Sequence, residues 1–164
     1  MRNKCIFALN LWVGVTLLMA CQHRNVKATK SSNSLKSPCN HDKETFRCVS
    51  IVDNYDGDTI RVNIPDVHPL FGEKIGVRLT RINAPEVKTK NECEKRLAAK
   101  ARDYVTKRLE SAKQIDLTIL SRDLYFRIGA DVLLDGKSIS DDLLREKLVV
   151  PYGKPINWCE FEKL

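Results

Sequence analysis

Histidine is scarce in this 164-residue chain, and no two cysteines are spaced Cys-x-x-Cys. The three histidines, His23, His41 and His68, are scattered. A structural zinc site draws on clustered residues of those two types, so their sparseness argues against one. No apolar run reaches the roughly 20 residues that a membrane helix needs. The longest, residues 6–20, is broken at Asn10. No internal repeat is visible and no oligomerisation device, so a monomer is expected.

The short apolar run follows Arg2 and Lys4, which is the pattern of a secretory signal. It ends Leu18-Met19-Ala20-Cys21, which resembles the bacterial lipobox, where the cysteine becomes the lipidated first residue. Residues 1–20 are therefore expected to be a signal, with Cys21 lipidated and the product exported to the cell envelope on an N-terminal lipid anchor. An ordinary signal peptide and a secreted product is the alternative. The stretch to residue 38 is polar, rich in Ser, Asn and Lys, and has little to bury. It reads as a flexible basic tether over residues 21–38, with a reach of roughly 20–25 Å.

Setting aside Cys5 and Cys21 leaves Cys39, Cys48, Cys93 and Cys159. An even number in an exported protein argues for two disulfides, with three possible connectivities. The preferred pairing is Cys39–Cys48, a short local loop, and Cys93–Cys159, tying the C-terminus to a helix. The formal charge of +7 is concentrated at the N-terminus, because residues 39–164 hold 22 basic and 21 acidic groups. The charge is uneven within that part, and residues 74–113 hold twelve Lys/Arg against five Asp/Glu. That excess suits a solvated helix face as well as a strand-binding patch.

Residues 39–164 are enough for one core. Phe46 to Val52 reads as a strand, Asp56-Gly57 as a tight turn, and Thr59 to Ile64 as a second strand. Lys74 to Ile82 is the third, with Ile75, Val77 and Leu79 on one face and Arg78 and Thr80 on the other. Pro85 ends that run. Asn91 with Glu94 resembles a helix N-terminal cap, and Leu97, Ala101, Tyr104, Val105, Leu109 and Ala112 recur at helical spacing. Ile115, Leu117 and Ile119 mark a fourth strand and Tyr125 to Leu134 a fifth. Ser140 then caps a short helix, with Ile139 and Leu144 as a hydrophobic staple. Three strands, a helix, two strands and a helix is the order of a five-stranded OB-fold-type β-barrel with packed helices, an α+β architecture.

The residues with chemistry in them are two aspartates in a turn, Asp56 and Asp58, two strand-borne arginines, Arg78 and Arg127, and a carboxylate, Glu86, just past a strand end. Paired aspartates in a turn suit a hard, oxygen-ligated cation. Arginines for phosphoryl oxygens and a base for water suit phosphodiester hydrolysis. Taken singly, each has a bland reading as a turn residue or a solvent-facing charge.

Taken in order they are more specific. Tyr55-Asp56-Gly57-Asp58-Thr59, Arg78-Leu79, Ala84-Pro85-Glu86, Arg122-Asp123-Leu124-Tyr125-Phe126-Arg127 and Asp135-Gly136-Lys137 resemble the staphylococcal nuclease (thermonuclease) family across most of residues 45–155. The resemblance implies a Ca2+-dependent nuclease acting on DNA or RNA, or both, to leave 3′-phosphorylated products. It implies Asp58 as a metal ligand with Asp56 nearby, the Ala84 carbonyl as another, and Glu86 as general base. Arg78 and Arg127 would stabilise the phosphoryl group, and Tyr125 and Tyr152 would line the nucleotide pocket. The departure is Asn83, where the family usually has a second aspartate ligand. An amide oxygen there removes one negative charge, so weakened Ca2+ binding is expected. The alternative is a weak or inactive OB-type module that binds nucleic acid or protein. No obvious run of exposed aromatics supports base stacking, since Phe71, Tyr104 and Trp158 read as structural, which favours the enzyme.

Overall fold

The structure, a computed structural model, describes residues 39–161. The expected signal, Cys21 and the tether lie outside the described residues. Strands β1 (Thr45–Phe46), β2 (Ser50–Asn54) and β3 (Thr59–Asn63) lead into a short helix α1 (Pro69–Gly72). Then come β4 (Ile75–Leu79), β5 (Ile82–Asn83), the long helix α2 (Glu92–Ser111), β6 (Ile115–Arg122) and β7 (Ile128–Leu134). The chain closes with β8 (Lys137–Ser138), α3 (Ile139–Arg145), β9 (Val150–Pro151) and α4 (Trp158–Phe161). One sheet runs β1-β6-β7-β4-β3-β2, with β8 on β7, and β5 pairs with β9 apart from it. The β4–β7 pairing is parallel and its neighbours in the sheet are antiparallel. This is the OB-fold-like α+β arrangement expected from the order of elements.

The core forms because β3 and β4 alternate. Ile60 and Val62 face inward beside Val77 and Leu79, against Leu117, Ala130 and Val132 of β6 and β7. Helix α2 buries Leu97, Ala101, Val105 and Leu109, one face at a four-residue spacing, and Val105 and Leu109 close this core. Asn91 does cap α2, accepting from the N–H groups of Cys93 (2.9 Å) and Glu94 (3.2 Å). The C-terminal segment is held by Trp158, buried with Leu97 and Val150. Disulfides join Cys39 to Cys48 and Cys93 to Cys159, so the second ties the start of α2 to α4.

Four local expectations change. The strand expected over Phe46–Val52 is two, split where Cys48 takes a left-handed φ of 53° beside its disulfide. The strand expected over Lys74–Ile82 breaks at Thr80-Arg81, and that break lets β5 leave the sheet to pair with β9. The strand expected from Tyr125 starts only at Ile128, because Tyr125 and Phe126 form a turn. Helix α3 is capped by Ser138, whose hydroxyl accepts from Asp141 N–H, and Ser140 lies inside the helix. Ser140 instead donates to the buried carboxylate of Asp131 at 2.9 Å.

Candidate functional site

The turn Asp56-Gly57-Asp58 between β2 and β3 is pressed between α2 and the segment after β5. A Cβ added at Gly57 would lie 2.9 Å from the Cβ atoms of Ala84 and Ala101, so only glycine fits this approach. Within the turn, Asp56 Oδ1 accepts from Asp58 N–H at 3.0 Å. Asp58 Oδ1 accepts from the Thr59 hydroxyl at 3.1 Å, and its Oδ2 accepts from Ala84 N–H at 2.9 Å. Asp58 thus staples the turn to the segment that carries Glu86.

Arg78 completes the knot. On β4, opposite Thr59, it reaches back so that Nη1 is ion-paired with Asp58 Oδ2 and Nη2 donates to Asn83 Oδ1 at 3.3 Å. The Nη1 contact is a charge contact without hydrogen-bond alignment. Asp56 and Asp58 are both buried. Burial, then the negative charge of Asp58, pushes the Asp56 carboxyl up to about 6.

Arg127 arrives from the β6–β7 hairpin. Its stem lies over Gly76, where an added Cβ would sit 2.9 Å from Arg127 Cγ. Gly76 and Arg78 are two apart on β4 and share a face, so the two arginines meet on one side of that strand. Arg127 Nη2 pairs with Asp123 at 2.7 Å, its guanidinium lies 5.7 Å from the Tyr125 ring, and its buried Nε has no hydrogen-bond partner. A cleft of about 320 Å3 opens here, lined by Tyr125, Arg127, Tyr55, Arg61 and Lys74 among others.

Glu86 is exposed, two residues past Ala84. Its N–H donates to Glu94 Oε1 at 3.1 Å, and Glu94 Oε2 accepts from the Thr89 hydroxyl at 2.8 Å. Glu94 therefore does not return to Asn91 as in a reciprocal cap. It holds the Glu86 loop against the start of α2. Tyr152 is exposed beyond β9, its N–H bonded to Arg81 O at 3.0 Å, and it is not among the residues lining the Tyr125 cleft. The structure thus gathers Asp56, Asp58, Arg78, Asn83 and Ala84 at one point. Arg127 and Tyr125 sit across the same β4 face, and Tyr152 stands apart.

Sequence reading missed a second support. Arg81, in the turn between β4 and β5, donates from Nη1 to buried Asp131 at 3.0 Å and from Nη2 to Asp141 at 2.6 Å. Ser138 and Ser140 fill the other Asp131 oxygen at 2.9 Å each. This network fixes the turn that delivers Asn83. Its members lie 50 and 60 residues from Arg81, so no local pattern announces them.

Asp56, Asp58, the Asn83 amide oxygen and the Ala84 carbonyl are all hard oxygen donors, the chemistry a divalent cation such as Ca2+ prefers. The Asp56–Asp58 repulsion is the feature that fits such an ion, because two buried carboxylates side by side call for positive charge. Among the described residues no three His, Cys, Asp or Glu side chains cluster as a metal site, so oxygens of Asn83 and the backbone would have to complete the set.

Residues 76–155 match the family model described as staphylococcal nuclease homologue. No curated protein matches the chain.

Proposed function

We propose, from the match of residues 76–155 to the staphylococcal nuclease homologue model, that the chain is a Ca2+-dependent phosphodiesterase cleaving DNA, RNA or both to 3′-phosphorylated products. What carries the reading is the knot itself. Arg78, Asp58, Asn83 and Ala84 N–H are bonded together, with a second arginine across the same strand and a free carboxylate two residues on.

In this reading Glu86 takes the proton of the attacking water, and its exposed carboxylate is positioned through its own N–H by Glu94. Arg78 and Arg127 donate to the phosphoryl oxygens, where charge grows as the bond to the leaving oxygen breaks. The Arg127 side chain is about a quarter exposed, 27%, so part of it faces the cleft. Tyr125 lines the cleft that receives the nucleotide. Asp56, Asp58, Asn83 and the Ala84 carbonyl would hold the Ca2+, which supplies positive charge at the phosphoryl group when bound. The same proposal places the protein outside the cytoplasm as a monomer, lipid-anchored at Cys21, or secreted if that cysteine is unmodified.

A second reading rests on Asn83. With an amide at this position, Arg78 is the cation that its oxygen meets, and a site short of one charge would make the domain a binding module.

The test uses the full chain, made in an oxidising compartment, with single-stranded DNA and RNA and a Ca2+ titration. Cleavage by the parent, its loss of roughly 100-fold or more in Glu86→Gln, and a lower Ca2+ requirement in Asn83→Asp are expected. A silent parent revived by Asn83→Asp would favour the binding module. Silence of both at every Ca2+ concentration would sink the catalytic assignment.

A further inference from the structure

Two features at the tip of the β6–β7 hairpin go beyond what contacts to a phosphate require. The first is conformational. Arg127 N–H bonds to Leu124 O at 3.2 Å across Tyr125 and Phe126, which have φ of 56° and 59°. A turn with both central residues at positive φ is the type I′ hairpin turn, which favours Asn-Gly. Two aromatic side chains there are strained, at a cost on the order of 1 kcal/mol each. They recover little by burial, since Tyr125 is 87% and Phe126 66% exposed. Strain held by side chains that bury little is the kind that accompanies function.

The second is an apolar groove beside them. It encloses about 450 Å3, within the range of small-ligand clefts, and is walled by Phe71, Phe126, Val67 and Ile75. Phe71, on α1, is 54% exposed, and its ring centre lies 6.2 Å from that of Phe126. The exposed aromatics that the sequence did not reveal are therefore here, brought together by a helix and a hairpin 55 residues apart. The groove and the Tyr125 cleft share Phe126, Arg127 and Ile75, so they adjoin. Their combined rim carries Arg61, Lys74, Arg122 and Arg127 against Asp53 and Asp123, a net positive border around an apolar floor.

We propose that the groove between Phe71 and Phe126 is a base-stacking subsite. It takes one unpaired nucleobase of the strand whose phosphate lies at Arg78 and Arg127. The inference rests on the nuclease reading of the adjoining site and extends it to a neighbouring nucleotide. Apolar aromatic faces beside cationic side chains are how single strands are held without sequence readout. A duplex would have to unstack a base to use the groove.

The test compares the full chain with Phe71→Ala and Phe126→Gly, using a single-stranded hexadeoxynucleotide, the same hexamer with one abasic position at each site in turn, and a dinucleotide too short to span both clefts. Binding is measured with Ca2+ chelated so that nothing is cut. Each variant is expected to weaken hexamer binding roughly tenfold, the scale of one stacked base. One abasic position is expected to weaken the parent by a similar factor and to leave Phe71→Ala unmoved. Cleavage of the dinucleotide with Ca2+ is expected to be unchanged in Phe71→Ala.

Unchanged hexamer affinity in both variants would overturn the subsite, whether or not they altered self-association or binding to lipid vesicles. Loss of dinucleotide cleavage in Phe71→Ala would overturn it as well, because the effect would not be confined to the groove. A parent that cleaves neither the dinucleotide nor the hexamer at any Ca2+ concentration, yet loses hexamer affinity on Phe71→Ala, would remove the nuclease reading and leave the subsite standing.

Discussion

The knot around Asp58 and the tip of the β6–β7 hairpin are built on opposite terms. In the knot, charge is buried and nearly every polar atom is used, with Arg78, Ala84 N–H and the Thr59 hydroxyl all converging on one carboxylate. At the tip, aromatic surface is exposed and the backbone is held at positive φ. The knot therefore couples the proposed chemistry to stability, whereas the tip carries its side chains at a cost to stability. Each difference gives a measurement.

The largest expected effect separates the two arginines. Arg78→Ala leaves Asp58 buried without its cation, a loss on the order of 3 kcal/mol. Arg127→Ala releases Asp123, which has more water around it, for about 1 kcal/mol. On the proposed mechanism both are expected to lower cleavage about 100-fold or more, since each would remove a donor to the phosphoryl oxygens. Chemical denaturation beside a cleavage assay checks this. Equal stability losses would break the contrast between a buried and a half-open ion pair.

A smaller effect of opposite sign is expected at Asp56. Its folded carboxyl is raised to about 6 by burial and then by Asp58, above an unfolded value near 3.9. Stability from this group is therefore present below about pH 4 and is lost as pH rises through 6. At pH 7, with Ca2+ chelated, Asp56→Asn is expected to be more stable than the parent by roughly 1–2 kcal/mol, after allowance for solvent screening. Below pH 4 the two should melt together. A variant less stable at pH 7 would show that Asp56 is a structural support rather than a strained one.

The two regions were also unequally legible. Asp56-Gly57-Asp58, Arg78 and the Ala84-Pro85-Glu86 segment were readable because each is a short run with its own geometry. Asn91 was readable as a cap for the same reason. What joined them was not. Glu94 looked like half of a reciprocal cap, and its two oxygens went instead to Glu86 N–H and Thr89. Arg81 looked like one more basic residue, and only the folded chain brings it to Asp131 and Asp141. The hairpin tip misled in a different way. Tyr125 and Phe126 have strand-favouring side chains, and alternation continues from them into β7. The Leu124–Arg127 hydrogen bond overrides that preference, and a local propensity cannot register a turn set by the pairing of β6 with β7. Exposure was misjudged at Phe71 for a related reason. An aromatic residue in sequence reads as core until its neighbours are known.

The smallest effect tests the tip alone. Replacing Tyr125-Phe126 by Asn-Gly supplies the pair that a type I′ turn favours and removes two exposed rings. Relief of the positive-φ strain is offset in part by the extra freedom glycine gives the unfolded chain and by loss of the Phe71 contact. The net is expected to be a gain of about 1 kcal/mol, read as a rise of a few degrees in Tm. A fall in Tm would mean that the aromatic pair holds the hairpin to α1 and that its geometry is explained by packing. A rise, together with weaker oligonucleotide binding, would mean that the tip keeps a conformation its own backbone disfavours for the sake of the ligand beside it.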